Sequence, residues 1–275
     1  MRSTDTAAPE SADTGGYLFD NDAVDAAEQV RLLAAMLDGD TTAVLADLGI
    51  ADDWRCLDLG AGAGTVSAWL ADRLGASGHV TVVDEKPQHV VARDGMTVVA
   101  GDVNTTDLGR DRYDLIHARF LFMHLPRRER VLERAVAALK PGGVLVVTDC
   151  DASRRGDMLV VAPDPVAEVF TAFQDALTGI GVGNGMDPAW ARRIPAAMRD
   201  AGLVDVSARV TNRLWAGGEA GMLLHDSISR QVEDGLLARG MDLAALTALR
   251  EAMHDPDVWA YSWPVYTGVG VRPTP

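Results

Sequence analysis

The segment LDLGAGAGT, residues 57–65, constrains the fold more than any other stretch of this chain. An apolar strand runs into Gly60, Gly62 and Gly64 and then straight into the helical segment TVSAWLADRL. Residues without Cβ let a ligand lie against the backbone, and a helix N-terminus offers unpaired N–H groups and a positive dipole end to an anionic group. A Gly-rich surface turn is the plainer reading, but glycine at every second position between a strand and a helix fits it poorly. The dinucleotide fingerprint G-x-G-x-x-G fails, because the third slot holds Thr65 counted from Gly60 and Ser67 counted from Gly62.

Short apolar runs then alternate with helical segments, placing strands at about 54–59, 79–83, 96–100, 112–118 and 143–149. Such β-then-α alternation implies a parallel sheet covered on both faces. In PRRERVLERAVAALKPGG, Pro126 fits the first turn of a helix, Leu132, Ala135, Val136 and Leu139 line one face, and Pro141 with Gly142 stops it. Val204, Val206, Ala208 and Val210 alternate at period two, and the run after Pro264 is expected to pair with them antiparallel and close the sheet. The expected fold is α/β: a doubly wound, mostly parallel, seven-stranded, Rossmann-like sheet with an antiparallel last strand.

Two elaborations flank this core, which is expected over residues 51–275. Residues 1–16 are small and polar and read as a disordered tail. Residues 17–50 read as a lid of two helices: one carries the stripe Ala26, Val30, Leu33 and Leu37, the other is capped by Asp40, faced by Val44, Leu45 and Leu48, and stopped at Gly49. Beyond residue 150 the intervals between strands exceed ordinary loops and contain apolar helical patterns, so helical cap insertions are expected at about 151–187 and 212–256.

Composition prunes the partners. Forty acids against 25 bases give a formal charge of −15, a surface that repels phosphodiesters, so nucleic acid is not expected as a partner. The two cysteines, Cys56 and Cys150, sit in apolar runs and read as core residues, which excludes a disulfide framework or a cysteine-based zinc site. The first residues lack an apolar signal-like stretch, and no run reaches the roughly 18 apolar residues that span a bilayer. A cytoplasmic chain without a membrane partner is the expectation.

Two acids follow the glycine turn in order. Asp84 ends the run HVTVVD, at the carboxyl edge where open α/β sheets bind ligands, and a carboxylate there accepts both hydroxyls of a ribose. It serves equally well as a cap for the segment beginning at Lys86. Asp102, in VVAGDV, stands one step past the next strand, placed to accept from an exocyclic amine. Three signals at the ends of three neighbouring strands are more specific than any one alone.

The series LDLGAGAGT, VVDEKP, AGDV, YDLIHARFLFMHLP and LKPGGVLVVTD resembles the ordered motif set of class I S-adenosylmethionine-dependent methyltransferases, over roughly residues 17–273. GYLFDNDAVDAAEQVRLL and VWAYSWPVYTGVGVRP resemble a branch met in bacterial secondary metabolism, including antibiotic biosynthesis. The resemblance implies S-adenosylmethionine as cofactor, S-adenosylhomocysteine as product, and a small natural-product-like acceptor. It carries the methionyl and ribose contacts onto Asp58, Gly60, Ala61, Gly62 and Gly64, and the ribose hydroxyls onto Asp84 beside Glu85. Adenine falls to Asp102 and the N–H of Val103. The methionine ammonium falls to the carbonyl of Ala118, with Arg119 adjacent, and Tyr17 and Arg31 of the lid are expected to reach the cofactor.

Methyl transfer asks little of side chains, because the sulfonium is already activated, so positioning and water exclusion carry most of it. A hydroxyl acceptor gains from a general base. The candidates are His124, after the fourth strand, and His225, beside Asp226 in the cap; each has a plainer role, packing or capping for the first and facing water for the second. His117 reads as a buried strand residue. Trp215, Trp259 and Trp263, with Met186, Met222, Met241 and Met253, either line an adaptable pocket or pack the cap on itself. No metal-ligand pattern is present, and none is expected to bind. Two rivals stay open: a cyclisation or elimination that uses the sulfonium only electrostatically, and a non-catalytic sensor of the cofactor. A homodimer through the lid or cap is also expected.

Overall fold

A computed structural model describes residues 26–155 and 158–275 of the chain. In chain order it contains α1 (Ala26–Asp47), β1 (Arg55–Leu59), α2 (Thr65–Arg73), β2 (His79–Asp84), β3 (Met96–Ala100), β4 (Tyr113–Arg119), α3 (Arg128–Ala138) and β5 (Leu139–Cys150). There follow β6 (Leu159–Val161), α4 (Asp164–Gly183), α5 (Ile194–Asp200), β7 (Val204–Thr211), β8 (Leu214–Ala216), α6 (Ala220–Gln231), α7 (Glu233–Ala238), α8 (Leu243–His254), β9 (Trp259–Tyr261) and β10 (Val265–Val271).

The main sheet has seven strands in the order β3-β2-β1-β4-β5-β10-β7. The first five run parallel, and β10 lies antiparallel between β5 and β7, as the alternation at Val204–Val210 and the run after Pro264 imply. Central strands are buried on both faces: Cys56, Leu57 and Leu59 in β1, Leu115, Ile116 and Ala118 in β4, Leu145, Val146 and Val147 in β5. That double burial is what continuous apolar runs demand of a covered parallel sheet. Strand order reverses between β1 and β4, which opens a crevice at their carboxyl ends. Both cysteines are free and buried.

Three local expectations need correction. The lid region is one 22-residue helix, not two, and Asp40 lies inside it rather than capping a second. Leu37, Thr41, Val44 and Leu45 are buried in one continuous stripe, which outweighs the roughly 1 kcal/mol cost of Gly39 in a helix. Gly49 does take a left-handed turn, with φ +67°, just past the helix end. The helix expected to run to Pro141 ends at Ala138, because Leu139 already pairs with Tyr113 as the first residue of β5; Pro126 precedes its first turn. The cap is not purely helical: besides α4, α6, α7 and α8 it holds a small sheet in the order β6-β9-β8, whose three-residue strands are too short to show a period. The helix α1 packs against α6, joining lid to cap.

Candidate active site

Gly60, Gly62 and Gly64 all lie in the left-handed region, with φ of +68°, +56° and +71°. They are not equivalent. A Cβ on Gly60 would come within 3.0 Å of the Leu121 side chain, and one on Gly64 within 2.9 Å of Val90, so these two are packed by the protein itself. At Gly62 the nearest atom is Val30 at 3.9 Å, and this glycine alone keeps space in front of its backbone. The N–H of Gly62 donates to the Asp84 carboxylate at 3.0 Å, and the N–H of Lys86 donates to the other oxygen at 2.9 Å. Asp84 therefore caps the turn after β2 and also ties β2 to the glycine turn.

Asp102, past β3, is exposed and accepts from the backbone and side chain of Asn104, each at 2.8 Å; Val103 beside it is buried. Glu85 is exposed at the same edge and Ala61 half-buried in the turn. Ala118, near the end of β4, is buried between Leu59 and Val147. Asp58 has its carboxylate engaged by the protein itself. It is buried beneath the turn, with His117 Nδ1 at 2.8 Å from one oxygen and the Ser67 hydroxyl donating to the other. Burial pushes its carboxyl up, but His117, Ser67 and Arg119 together hold it below the ordinary range. It braces β1 against β4 and α2.

The lid is fastened to this edge. Arg119 Nη1 donates to Asp38 at 2.9 Å and to the Thr41 hydroxyl at 3.1 Å, and the Thr65 hydroxyl donates to Asp38 at 3.1 Å. Arg119 is thus engaged by α1. Arg31 is exposed and paired with Glu28 at 2.6 Å, while Val30 is the lid residue over Gly62. Tyr17 lies outside the described residues.

Beyond β4 the chain turns sharply at Phe120, a non-glycine residue with φ +51°, whose N–H donates to the Thr148 carbonyl at 2.7 Å. Strained backbone of this kind is held only where the surroundings over-determine it, and it clusters at functional sites. The turn sends Leu121 over Gly60 and leaves Phe120, Met123 and His124 lining a cavity of about 70 Å³. The cap supplies the other walls, with Gln174 and Leu177 from α4, Leu224 and Ile228 from α6, and Trp263. Burial, helped by nearby Arg128, pushes His124 down to about 4, so its imidazole is neutral at physiological pH.

His225 does not line the cavity. It is buried one layer behind, its ring edge-on to Phe170, Phe173 and Trp263 at 5.2, 6.0 and 4.8 Å, and burial pushes it down to about 3. The Gln174 amide bridges the two: its Nε2 donates to His225 Nδ1 at 3.3 Å and its Oε1 accepts from the Trp263 indole at 3.2 Å. Asp226, its sequence neighbour, pairs instead with Arg230 at 2.9 Å and His254 at 3.0 Å. His225 does not face water either: its neighbours make it a packing residue that orients a cavity wall. Of the other cap residues singled out, Met186 lines the cavity, Trp215, Met222 and Met253 are core, and Trp259 is exposed.

Sequence reasoning missed Gln174 and Asp149. The Asp149 carboxyl is buried at the end of β5 and accepts from the Trp190 indole at 3.1 Å. Burial pushes it up to about 8, despite the opposing pull of Trp190, the N–H groups of Met123 and Leu121, and Arg128. Among the described residues no group of three or more His, Cys, Asp or Glu stands ready for a metal, and no helix is long and apolar enough to cross a membrane.

Comparison with known proteins agrees with this architecture. Residues 57–145 match a family described as a methyltransferase domain, a span running from β1 into β5. Phosphoethanolamine N-methyltransferase of Plasmodium falciparum (isolate 3D7) is 25% identical over 122 residues, 42% of this chain and 46% of that protein. Methyltransferase GfsG of Streptomyces halstedii is 26% identical over 110 residues, 37% of this chain and 40% of that protein. The matches thus span less than half the length of either relative. Among solved structures, Haemonchus contortus phosphoethanolamine N-methyltransferase 2, in complex with phosphomonomethylethanolamine and S-adenosylhomocysteine, superposes with a TM-score of 0.55 at 15% identity, covering 86% of this chain and 52% of that one. The YcgJ protein of Bacillus subtilis gives 0.54 at 13% identity, covering 85% and 98%. At such identities the likeness is one of fold.

Proposed function

We propose that this chain, built around a class I methyltransferase domain, binds S-adenosylmethionine across Gly62 and directs its methyl group to a small molecule held in the cavity beside Phe120. The observation that carries the reading is the turn at Phe120–Leu121, which closes on Gly60 with one residue and opens the cavity with the other, so that a glycine cradle and an apolar pocket share one wall. When bound, the cofactor supplies a methyl group already activated on a sulfonium. The chain's part is to hold, orient and exclude water.

Asp84, acceptor-only and anchored through single N–H groups on each oxygen, keeps lone pairs for ribose hydroxyls. Asp102 and the Val103 N–H take adenine, and the Ala118 carbonyl takes the methionine ammonium, as the resemblance implies. The ion pair of Arg119 with Asp38 holds the lid helix over the site. His124 is the one histidine that lines the cavity; burial keeps its imidazole neutral but weakens it as a base, so its part is to orient a hydroxyl acceptor by hydrogen bonding and to take its proton only as the methyl group is transferred. The small, half-open cavity and the charge of −15 favour a small acceptor over nucleic acid, and the natural-product class follows from the resemblance.

Calorimetric titration with S-adenosylmethionine, S-adenosylhomocysteine and NAD⁺ tests the reading: the two sulfur compounds bind in the micromolar range and NAD⁺ does not. A folded sample that binds neither sulfur compound removes the proposal. With a hydroxyl acceptor in hand, His124→Ala lowers labelled-methyl transfer about 100-fold while cofactor affinity stays put. Unchanged turnover takes His124 off the site.

A further inference from the structure

Among the described residues the cavity walls contain no charged side chain: no Arg, Lys, Asp or Glu lines them. The polar groups that are present are neutral and largely committed. Gln174 is held at both ends by His225 and Trp263, and the Thr178 hydroxyl donates back to the Gln174 carbonyl of its own helix at 2.8 Å. The Cys150 thiol is raised well above its ordinary range by burial and by the neighbouring Asp149 and Asp151. The remaining polar side chains, Gln29 and His124, carry no charge at neutral pH either.

The cations nearest the cavity are engaged elsewhere. Arg128 donates to the carbonyls of Leu125 and Gly185 at 2.7 and 2.8 Å and pairs with Asp187 at 3.0 Å, and Arg119 is held by Asp38. A phosphate or carboxylate entering this space would lose its water, find no counter-charge in the walls and meet the repulsion of Asp149 and Asp151 behind Cys150, a balance that buried charges rarely survive; an ammonium group would find those two carboxylates only one layer behind the wall.

Resting on the methyl-transfer reading above, we propose that the acceptor is an uncharged molecule with an apolar frame, methylated at a neutral hydroxyl or amine, and that phosphobases and amino-acid zwitterions are excluded. This separates the chain from the relatives named for phosphoethanolamine. The residues matched as a methyltransferase domain, 57–145, contribute Phe120, Met123 and His124 to the cavity, whereas Gln174, Leu177, Leu224, Ile228 and Trp263 lie outside that span. At about 70 Å³ the cavity is about half the size of one that encloses benzene, so it takes the reacting end of a molecule whose remainder extends toward its open side.

The test titrates the full chain, saturated with S-adenosylhomocysteine, with phenol, phosphoethanolamine and glycine in turn. Phenol is expected to bind saturably and the two charged compounds to give no binding. Met186→Trp, which fills the cavity from a half-buried position, should weaken phenol at least tenfold and leave S-adenosylhomocysteine affinity unchanged. Phosphoethanolamine or glycine binding more tightly than phenol, absence of phenol binding to the loaded chain, or phenol affinity indifferent to Met186→Trp overturns the proposal. Should the variant not fold, labelled-methyl transfer by the wild type decides: preference for a charged acceptor over uncharged alcohols and phenols rejects it. Failure of S-adenosylhomocysteine to bind at all is a different result, because it removes the methyl-transfer reading itself.

Discussion

The two halves of the site are built by different means. On the β1–β2–β3 side the decisive features are backbone: three glycines at positive φ within five residues, and a carboxylate twenty residues later that receives one of their N–H groups. On the β4–β5 side the cavity is made of side chains drawn from α1, the turn after β4, the end of β5, α4, α6 and the stretch before β10. The first half tolerates few changes because conformation and clearance fix it. The second is a mosaic in which any one wall is exchangeable, which suits a fold that keeps one cofactor and varies its acceptor.

The sharpest way to break this contrast is Gly62→Val. A Cβ there meets nothing of the protein closer than 3.9 Å, so the main cost to the fold should be that of a left-handed non-glycine residue, about 1 to 3 kcal/mol. The branched side chain fills the space in front of the backbone, and S-adenosylmethionine binding is expected to fall beyond detection while thermal denaturation still shows a cooperative, slightly lowered transition. Binding at wild-type strength moves the cofactor away from Gly62. Asp84→Asn is the milder probe of the same half. It keeps the shape and removes the charge, so charge-assisted hydrogen bonds worth about 1.5 to 3 kcal/mol weaken, and calorimetry should read a roughly tenfold to hundredfold rise in Kd. Unaltered affinity leaves Asp84 as a cap for the Lys86 turn and nothing more.

The same contrast explains what could be read in advance. LDLGAGAGT, HVTVVD and the strands up to β5 are local patterns, and the structure keeps their order and nearly their bounds. Asp58 sits within the legible motif yet its burial was not readable, because its partners His117 and Ser67 come from a different strand and from the next helix. His225, beside Asp226 in sequence, reads as a candidate base. Neighbours along a helix diverge: His225 meets Gln174 of α4, while Asp226 pairs with Arg230 of its own helix and with His254 of α8. Gln174 carried no motif at all; only the meeting of α4, α6 and Trp263 gives it a role. The single long α1 was hidden by Gly39 and Asp40, which look like a break until the buried stripe on either side is seen to be continuous.

The smallest effect comes from the seam between the halves, where Asp149 receives the Trp190 indole beside the Phe122–His124 turn, with Trp190 stacked 6.2 Å from Phe122. With its carboxyl held up to about 8 against an ordinary 3.8, the folded chain keeps a proton across this interval that the unfolded chain releases. The contribution of this group to stability is therefore complete at pH below about 3.8 and is lost as pH rises through about 8. Buried His225 acts with the opposite sign, its contribution complete above 6.5 and lost as pH falls toward about 3. Asp149→Asn preserves the neutral shape and removes the proton, so urea denaturation of variant and wild type at pH 5, 7 and 8 should show the difference shifting in the variant's favour as pH rises. A gap that stays constant across that range means that Asp149 is ionised in the folded chain, and that the seam is held by an ion interacting with Arg128 rather than by a buried acid.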